Sequence, residues 1–129
     1  MARVYSFRGK SLEELQKLSA DEFSKLLDSR QRRAMKRMGS SYKLLVGKVE
    51  AARKKGAKII KTQIREAVIL PSWVGMSFAI HNGKEFKQME IRPEMLGHRL
   101  GEFAFSTKRV QHSAPGIRAT RGSKFLAVK

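Results

Sequence analysis

The chain of 129 residues contains no cysteine, which excludes disulfides, thiolate metal centres and cysteine nucleophiles. That fits a reducing compartment. No apolar run approaches the roughly 20 residues that span a bilayer. Met1 to Lys10 carries Arg3, Arg8 and Lys10 and lacks the apolar stretch of a secretory signal. A soluble, cytoplasmic protein with no membrane partner is therefore expected. No Gly-rich phosphate loop, Ser/His/Asp arrangement or metal-spaced His cluster occurs, so neither an enzyme, a cofactor nor a small-molecule substrate is indicated. Acid is the scarcest commodity. There are 11 Asp+Glu against 28 Lys+Arg, for a formal net charge of +17, and no acid follows Glu102.

The distribution of that charge is uneven. Residues 1–28 carry five basic and five acidic side chains, whereas residues 29–58 carry eleven basic residues and only Glu50. Residues 61–102 are close to balance, with six bases and five acids. Lys108, Arg109, Arg118, Arg121, Lys124 and Lys129 then follow unopposed. A near-neutral apolar core between two cationic segments is the footprint of a protein embedded in a polyanion. Apolar content of 41% in a chain this long supports one modest core.

Local patterns divide the chain. Ser11-Leu12-Glu13-Glu14 and Ser19-Ala20-Asp21-Glu22 both read as capping boxes opening short helices. Leu12, Leu15 and Leu18 follow the first, and Phe23, Leu26 and Leu27 the second. Residues 29–38 form a basic segment that ends at Gly39. From Ser40 or Ser41 a longer helix carries Tyr42, Leu45, Val46 and Val49 as its stripe, with Gly56 as C-cap. Val68-Ile69-Leu70 reads as a buried strand stopped by Pro71. Val74, Met76, Phe78 and Ile80 alternate as a strand does, and Asn82-Gly83 suits a type I′ hairpin. That turn sets Met76 opposite Met89 and Val74 opposite Ile91. Phe86 then lies on the other face, beside Ala79. Pro93 opens a short helix with Leu96, Leu100 and Phe103 inward, where Gly97 and Gly101 imply a tightly packed neighbour. Ser106 to Lys129 is expected to be extended and ordered only by a partner.

The sharpest enzymatic constellation is Glu94, His98 and Glu102 on one helix face. Glu94 and Glu102 would lie about 12 Å apart along the axis, so the three cannot share one ion. A polar surface with local ion pairs, or a partner contact, is the better reading. His81 reads as an exposed or capping residue. The basic segments weigh differently. If helical, Arg32, Arg33, Lys36 and Arg37 form a ridge suited to a phosphate backbone. Composition alone leaves RNA and DNA both open.

One resemblance narrows the choice. Asn82-Gly83-Lys84, then Ile91-Arg92-Pro93-Glu94-Met95-Leu96-Gly97-His98-Arg99-Leu100-Gly101-Glu102-Phe103-Ala104-Phe105-Ser106, closely resembles the signature of the universal small-subunit ribosomal protein nineteen family. Arg30-Gln31-Arg32-Arg33, Ile69-Leu70-Pro71 with Val74-Gly75, and Gln111-His112-Ser113-Ala114-Pro115-Gly116 resemble its archaeal and eukaryotic branch. Two departures from the pattern occur, over three positions. Ser72-Trp73 stands where an acidic residue and a methionine are usual, and Arg118 where the tail often has glycine.

The resemblance implies a non-enzymatic component of the small ribosomal subunit that binds rRNA in the subunit head. It further implies a neighbour, small-subunit protein thirteen, a position near the large subunit, and a tail directed toward the decoding region and its tRNA. The expected architecture is α+β. A helical, basic N-terminal part spans 1–58, a compact core built on a hairpin spans 59–105, and an extended basic tail spans 106–129. Expected RNA-binding residues are Arg30, Arg32, Arg33, Lys36, Arg37, Lys54, Lys55, Lys58 and Arg65, then Gly97, His98 and Gly101, and in the tail Lys108, Arg109, His112, Arg118, Arg121 and Lys124. The alternative is a free-standing basic architectural protein that binds DNA or RNA.

Overall fold

In the computed structural model, which describes residues 5–110, 115–117 and 119–125, the chain begins with a tight hairpin. Strands β1 (Ser6–Phe7) and β2 (Lys10–Ser11) pair Ser6 with Ser11 and Phe7 with Lys10. Only Arg8 and Gly9 connect them, and both have positive φ, 52° and 79°. This is the two-residue geometry whose twist matches paired strands.

Both capping boxes then form. Ser11 opens helix α1 (Leu12–Lys17) and Ser19 opens α2 (Ala20–Leu26), each accepting from the backbone N–H three residues on. Glu14 and Glu22 return the bond, accepting from the Ser11 and Ser19 amides at 3.1 and 3.0 Å. Helix α3 (Ser29–Arg37) follows, with Met38 ending it and starting α4 (Gly39–Lys55). Gly39 at φ 47° turns the chain between the two. At the far end Gly56, φ 64°, caps α4, and the Ala57 amide donates to the Ala52 carbonyl at 2.9 Å. That 6→1 bond closes the helix with a left-handed glycine, as its sequence requires.

A three-stranded sheet completes the fold. Its order is β3 (Ile59–Thr62), β4 (Ser77–His81), β5 (Phe86–Glu90), with β3 parallel and β5 antiparallel to the central strand. The parallel pair needs a crossover, and residues 63–76 supply it without an α-helix, through a 3₁₀ turn at Pro71–Trp73. Leu45 of α4, Val68 and Ile69 of the crossover, Trp73, Phe78, Ile80, Ile91, Leu96 and Leu100 are buried together. Leu15 and Phe23 from the N-terminal helices join the same core. Each such side chain contributes about 1.5–3 kcal/mol by leaving water.

Four expectations are corrected. The hairpin at Asn82 pairs Phe78 with Met89 and His81 with Phe86, two residues away from the I′ register. Its loop is Asn82–Glu85, closed by the Asn82 amide donating to the Glu85 carbonyl. The Asn82 side-chain oxygen accepts from the Lys84 and Glu85 amides at 3.0 and 2.8 Å, so asparagine serves the longer loop through its side chain. Because a shift of two preserves facing, Phe78 and Ile80 still share a side with Met89.

Val68-Ile69-Leu70 is buried yet is not a full strand. It makes an isolated bridge, Val68 opposite Arg99, and the Ile69 amide donates to the His98 carbonyl at 2.9 Å. The opposing segment cannot extend the ladder. Gly97 turns at φ 77° and Leu100–Phe103 coils into 3₁₀. The short helix expected after Pro93 is accordingly two 3₁₀ turns, Pro93–Met95 and Leu100–Phe103, separated at that glycine. In the tail, Gly122–Phe125 forms a 3₁₀ turn where only extended chain was expected. Thr120 and Ser123 hydrogen-bond across its start, and Ser123 is buried.

Candidate nucleic-acid interface

Helix α3 carries no acid in its first turn and Lys36 and Arg37 in its last. Arg30, Arg32, Arg33, Lys36 and Arg37 are all exposed. They do not form one ridge. Arg30, Arg33 and Arg37, at helical spacing i, i+3 and i+7, line an open groove of about 430 Å³ whose far side holds Glu66 and Arg99. Arg32 turns to the opposite flank. It donates to the Leu27 carbonyl at 3.0 Å and shares a second groove with Arg8 and Lys25. The helix thus presents cationic surface to both sides.

Arg99 is brought to α3 by the Val68–Arg99 bridge, and its Nε donates to Gln31 Oε1 at 3.1 Å. Lys54 and Lys55 are exposed in the last turn of α4, where their charge complements the helix dipole, and Lys58 is exposed just beyond the Gly56 cap. Neighbouring Arg53 donates to the Ser72 carbonyl at 3.0 Å, which ties that end to the crossover.

Arg65, by contrast, is committed inside the fold. Its Nη1 donates to the His81 carbonyl at 2.5 Å, and its Nη2 to the carbonyls of Gly101 and Ala104 at 3.0 and 2.5 Å. The close neighbour implied by Gly101 is Arg65 itself, since a Cβ there would stand 3.0 Å from the Arg65 carbonyl oxygen. A Cβ on Gly97 would meet Leu27 Cδ2 and Phe7 Cζ, each at 3.2 Å. Both glycines are therefore explained by packing within the chain.

His98 is exposed, and its Nδ1 lies 2.7 Å from Glu102 Oε2. Its ring stands edge-on to Phe103 at 5.9 Å. Among the described residues no cluster of three or more His, Cys, Asp or Glu could hold a metal ion. Lys108, Arg109, Arg121 and Lys124 are exposed, whereas His112 and Arg118 lie outside the described residues.

Aromatic surface accompanies the charge. Phe105 is 69% exposed with Lys87 Nζ 5.5 Å from its ring centre. Phe86, with Lys61 Nζ at 5.9 Å and the His81 ring edge-on at 5.0 Å, is also exposed. Exposed rings beside cations are platforms on which bases stack. Arg8, Lys25, Arg99, Phe105 and the Lys61–Phe86 pair were not singled out in the sequence. Each acquires its setting from a pairing distant along the chain, so no local signal marks it.

Cationic grooves on both flanks of one helix, aromatic rings beside lysines and a small α+β core are the features of a nucleic-acid-binding protein. Comparison with known proteins gives the family. Residues 32–112 match the model for ribosomal protein S19. The small ribosomal subunit protein uS19 of Saccharolobus solfataricus is 48% identical over 97% of this chain and 91% of its own length. Its counterpart from Metallosphaera sedula is 46% identical over 98% of this chain and 93% of its own length. The chain belongs to the ribosomal protein S19 family.

Proposed function

We infer that the chain is a structural, non-enzymatic constituent of the small ribosomal subunit and binds its rRNA. Family membership over nearly the whole length is the observation that carries this reading. The mechanism is phosphate neutralisation joined to shape fit. Arg30, Arg32, Arg33, Lys36 and Arg37 meet phosphates from α3, and Lys54, Lys55 and Lys58 from the end of α4. Lys108, Arg109, Arg121 and Lys124 act from the tail, together with His112 and Arg118. His98 contributes a donor from the exposed turn beside Phe103. Arg65, Gly97 and Gly101 support this surface from within rather than touching RNA, because their polar groups and free space are already occupied.

The proposed setting is the subunit head in the cytoplasm, beside small-subunit protein thirteen. From there the tail reaches toward the decoding region, its tRNA and the large subunit. Sedimentation of a lysate through a sucrose gradient at moderate and then high salt tests the reading. Co-migration with the small subunit at both salts is expected, and crosslinks to protein thirteen should accompany it. Absence from ribosomal fractions at either salt would replace it with a free-standing architectural protein that binds DNA or RNA.

A further inference from the structure

The groove between α3 and the Val68–Arg99 bridge contains one residue that phosphate binding does not explain. Arg30, Arg33, Arg37 and Arg99 line it, and so does Glu66. Among the described residues the one contact between a basic and an acidic side chain is His98 with Glu102, so Glu66 shares the groove with four arginines without an ion pair to any. An exposed carboxylate here weakens a purely phosphate-binding surface, since it repels the ligand the arginines attract. Its presence is accounted for if the occupant offers hydrogen-bond donors as well as negative charge.

An unpaired nucleotide has that combination. Ala34 and Met38 also line the groove, so part of its wall is apolar and suits a base face. Arginine planes stack on bases, and single-stranded RNA is read on the Watson–Crick edge. Of the four bases, guanine alone presents two adjacent N–H donors on that edge, N1–H and the N2 amino group, matching the two oxygens of a carboxylate. Adenine and cytosine place a ring acceptor beside their amino group, and uracil flanks its single N–H with carbonyls.

We propose that this groove is a guanine-reading site, in which Glu66 accepts from N1–H and N2–H of one unpaired guanosine while the surrounding arginines hold its phosphates. The proposal rests on the RNA-binding reading above and specifies what one part of that surface recognises.

Fluorescence anisotropy with the full chain at one fixed salt concentration tests it. The probes are the labelled heptanucleotides AAAGAAA, AAAAAAA and the same sequence with inosine at the centre. A bidentate contact of this kind should favour the guanosine probe over the adenosine probe by about tenfold. Inosine, which keeps N1–H but lacks the N2 amino group, should fall between. In Glu66→Gln one oxygen becomes a donor facing a donor, so the preference should shrink to within about twofold. Affinity for AAAAAAA should hold or rise. Arg33→Ala should weaken all three probes alike. Equal binding of guanosine and adenosine probes by the unaltered chain, or a preference that survives Glu66→Gln, overturns the guanine site and leaves RNA binding standing. Failure to bind any of the RNAs likewise overturns the guanine site, and the ribosomal reading then stands or falls on the sedimentation test.

Discussion

Replacing Arg65 by lysine separates a structural cation from a phosphate-binding one. Lysine keeps the charge, so a residue that served only to neutralise phosphate would lose little. Arg65 instead uses two nitrogens of a planar fork to reach the carbonyls of His81, Gly101 and Ala104, joining β4 to the Leu100–Phe103 turn. A single ammonium cannot span that set. Hydrogen bonds from a charged donor contribute about 1.5–3 kcal/mol each. Because Arg65 is half-buried, water can reach some of the released carbonyls, and lysine can retain one of them. The expected cost is about 2 kcal/mol, well below the sum. For a domain of this size that lowers Tm by about 8 °C.

Arg33→Ala is the matched control, as its side chain is exposed in the α3 groove. Its Tm should move by no more than about 2 °C, in keeping with an exposed surface substitution. The log–log slope of affinity for single-stranded RNA against salt should become shallower by about 0.7, because one phosphate is no longer neutralised. Thermal unfolding followed by circular dichroism, with RNA affinity measured across a salt series, reads both effects. An Arg65→Lys protein that melts like the parent but loses salt-dependent RNA affinity would refute the clamp.

Gly97→Ala combines a left-handed backbone, φ 77°, with a Cβ only 3.2 Å from Leu27 and Phe7. A left-handed L-residue costs about 1–2 kcal/mol before crowding is counted. Urea denaturation should show that loss, with more if Phe7 must move. Glu22 supplies a pH-dependent case. Its carboxylate is held below its ordinary value of 4.5, first by the Ser19 backbone N–H and then by the Ser19 hydroxyl. Its folded value lies under its unfolded one, so the stabilisation is complete above the unfolded value. It is lost as pH falls through the folded value. NMR titration should show Glu22 titrating below its ordinary value of 4.5, and Ser19→Ala should move it upward.

Much of the helical half of the fold was legible in the sequence because its signals are local. A capping box needs residues three apart, and the left-handed end of α4 needs only Gly56. The α+β class followed from the change of period near Ile59, and the cationic surface from a charge count. The hairpin register was not legible. Asn82-Gly83 serves a tight I′ turn or a longer loop equally well, and the observed pairing goes with the longer loop, in which the Asn82 side chain accepts from the Lys84 and Glu85 amides. The true two-residue turn fell at Arg8-Gly9, where arginine is a poor predictor of positive φ.

The candidate site divides along the same line. That the α3 segment is basic, and that it meets a polyanion, follows from its residues alone. Charge is additive and needs no coordinates. Which arginines act together is a tertiary matter. Arg30, Arg33 and Arg37 join Arg99 and Glu66 only because residues 65–69 pair with 97–101, whereas Arg65, chemically identical, is drawn inward by three carbonyls. A side chain's identity sets what it can bind. Its neighbours in space decide whether that capacity is already taken.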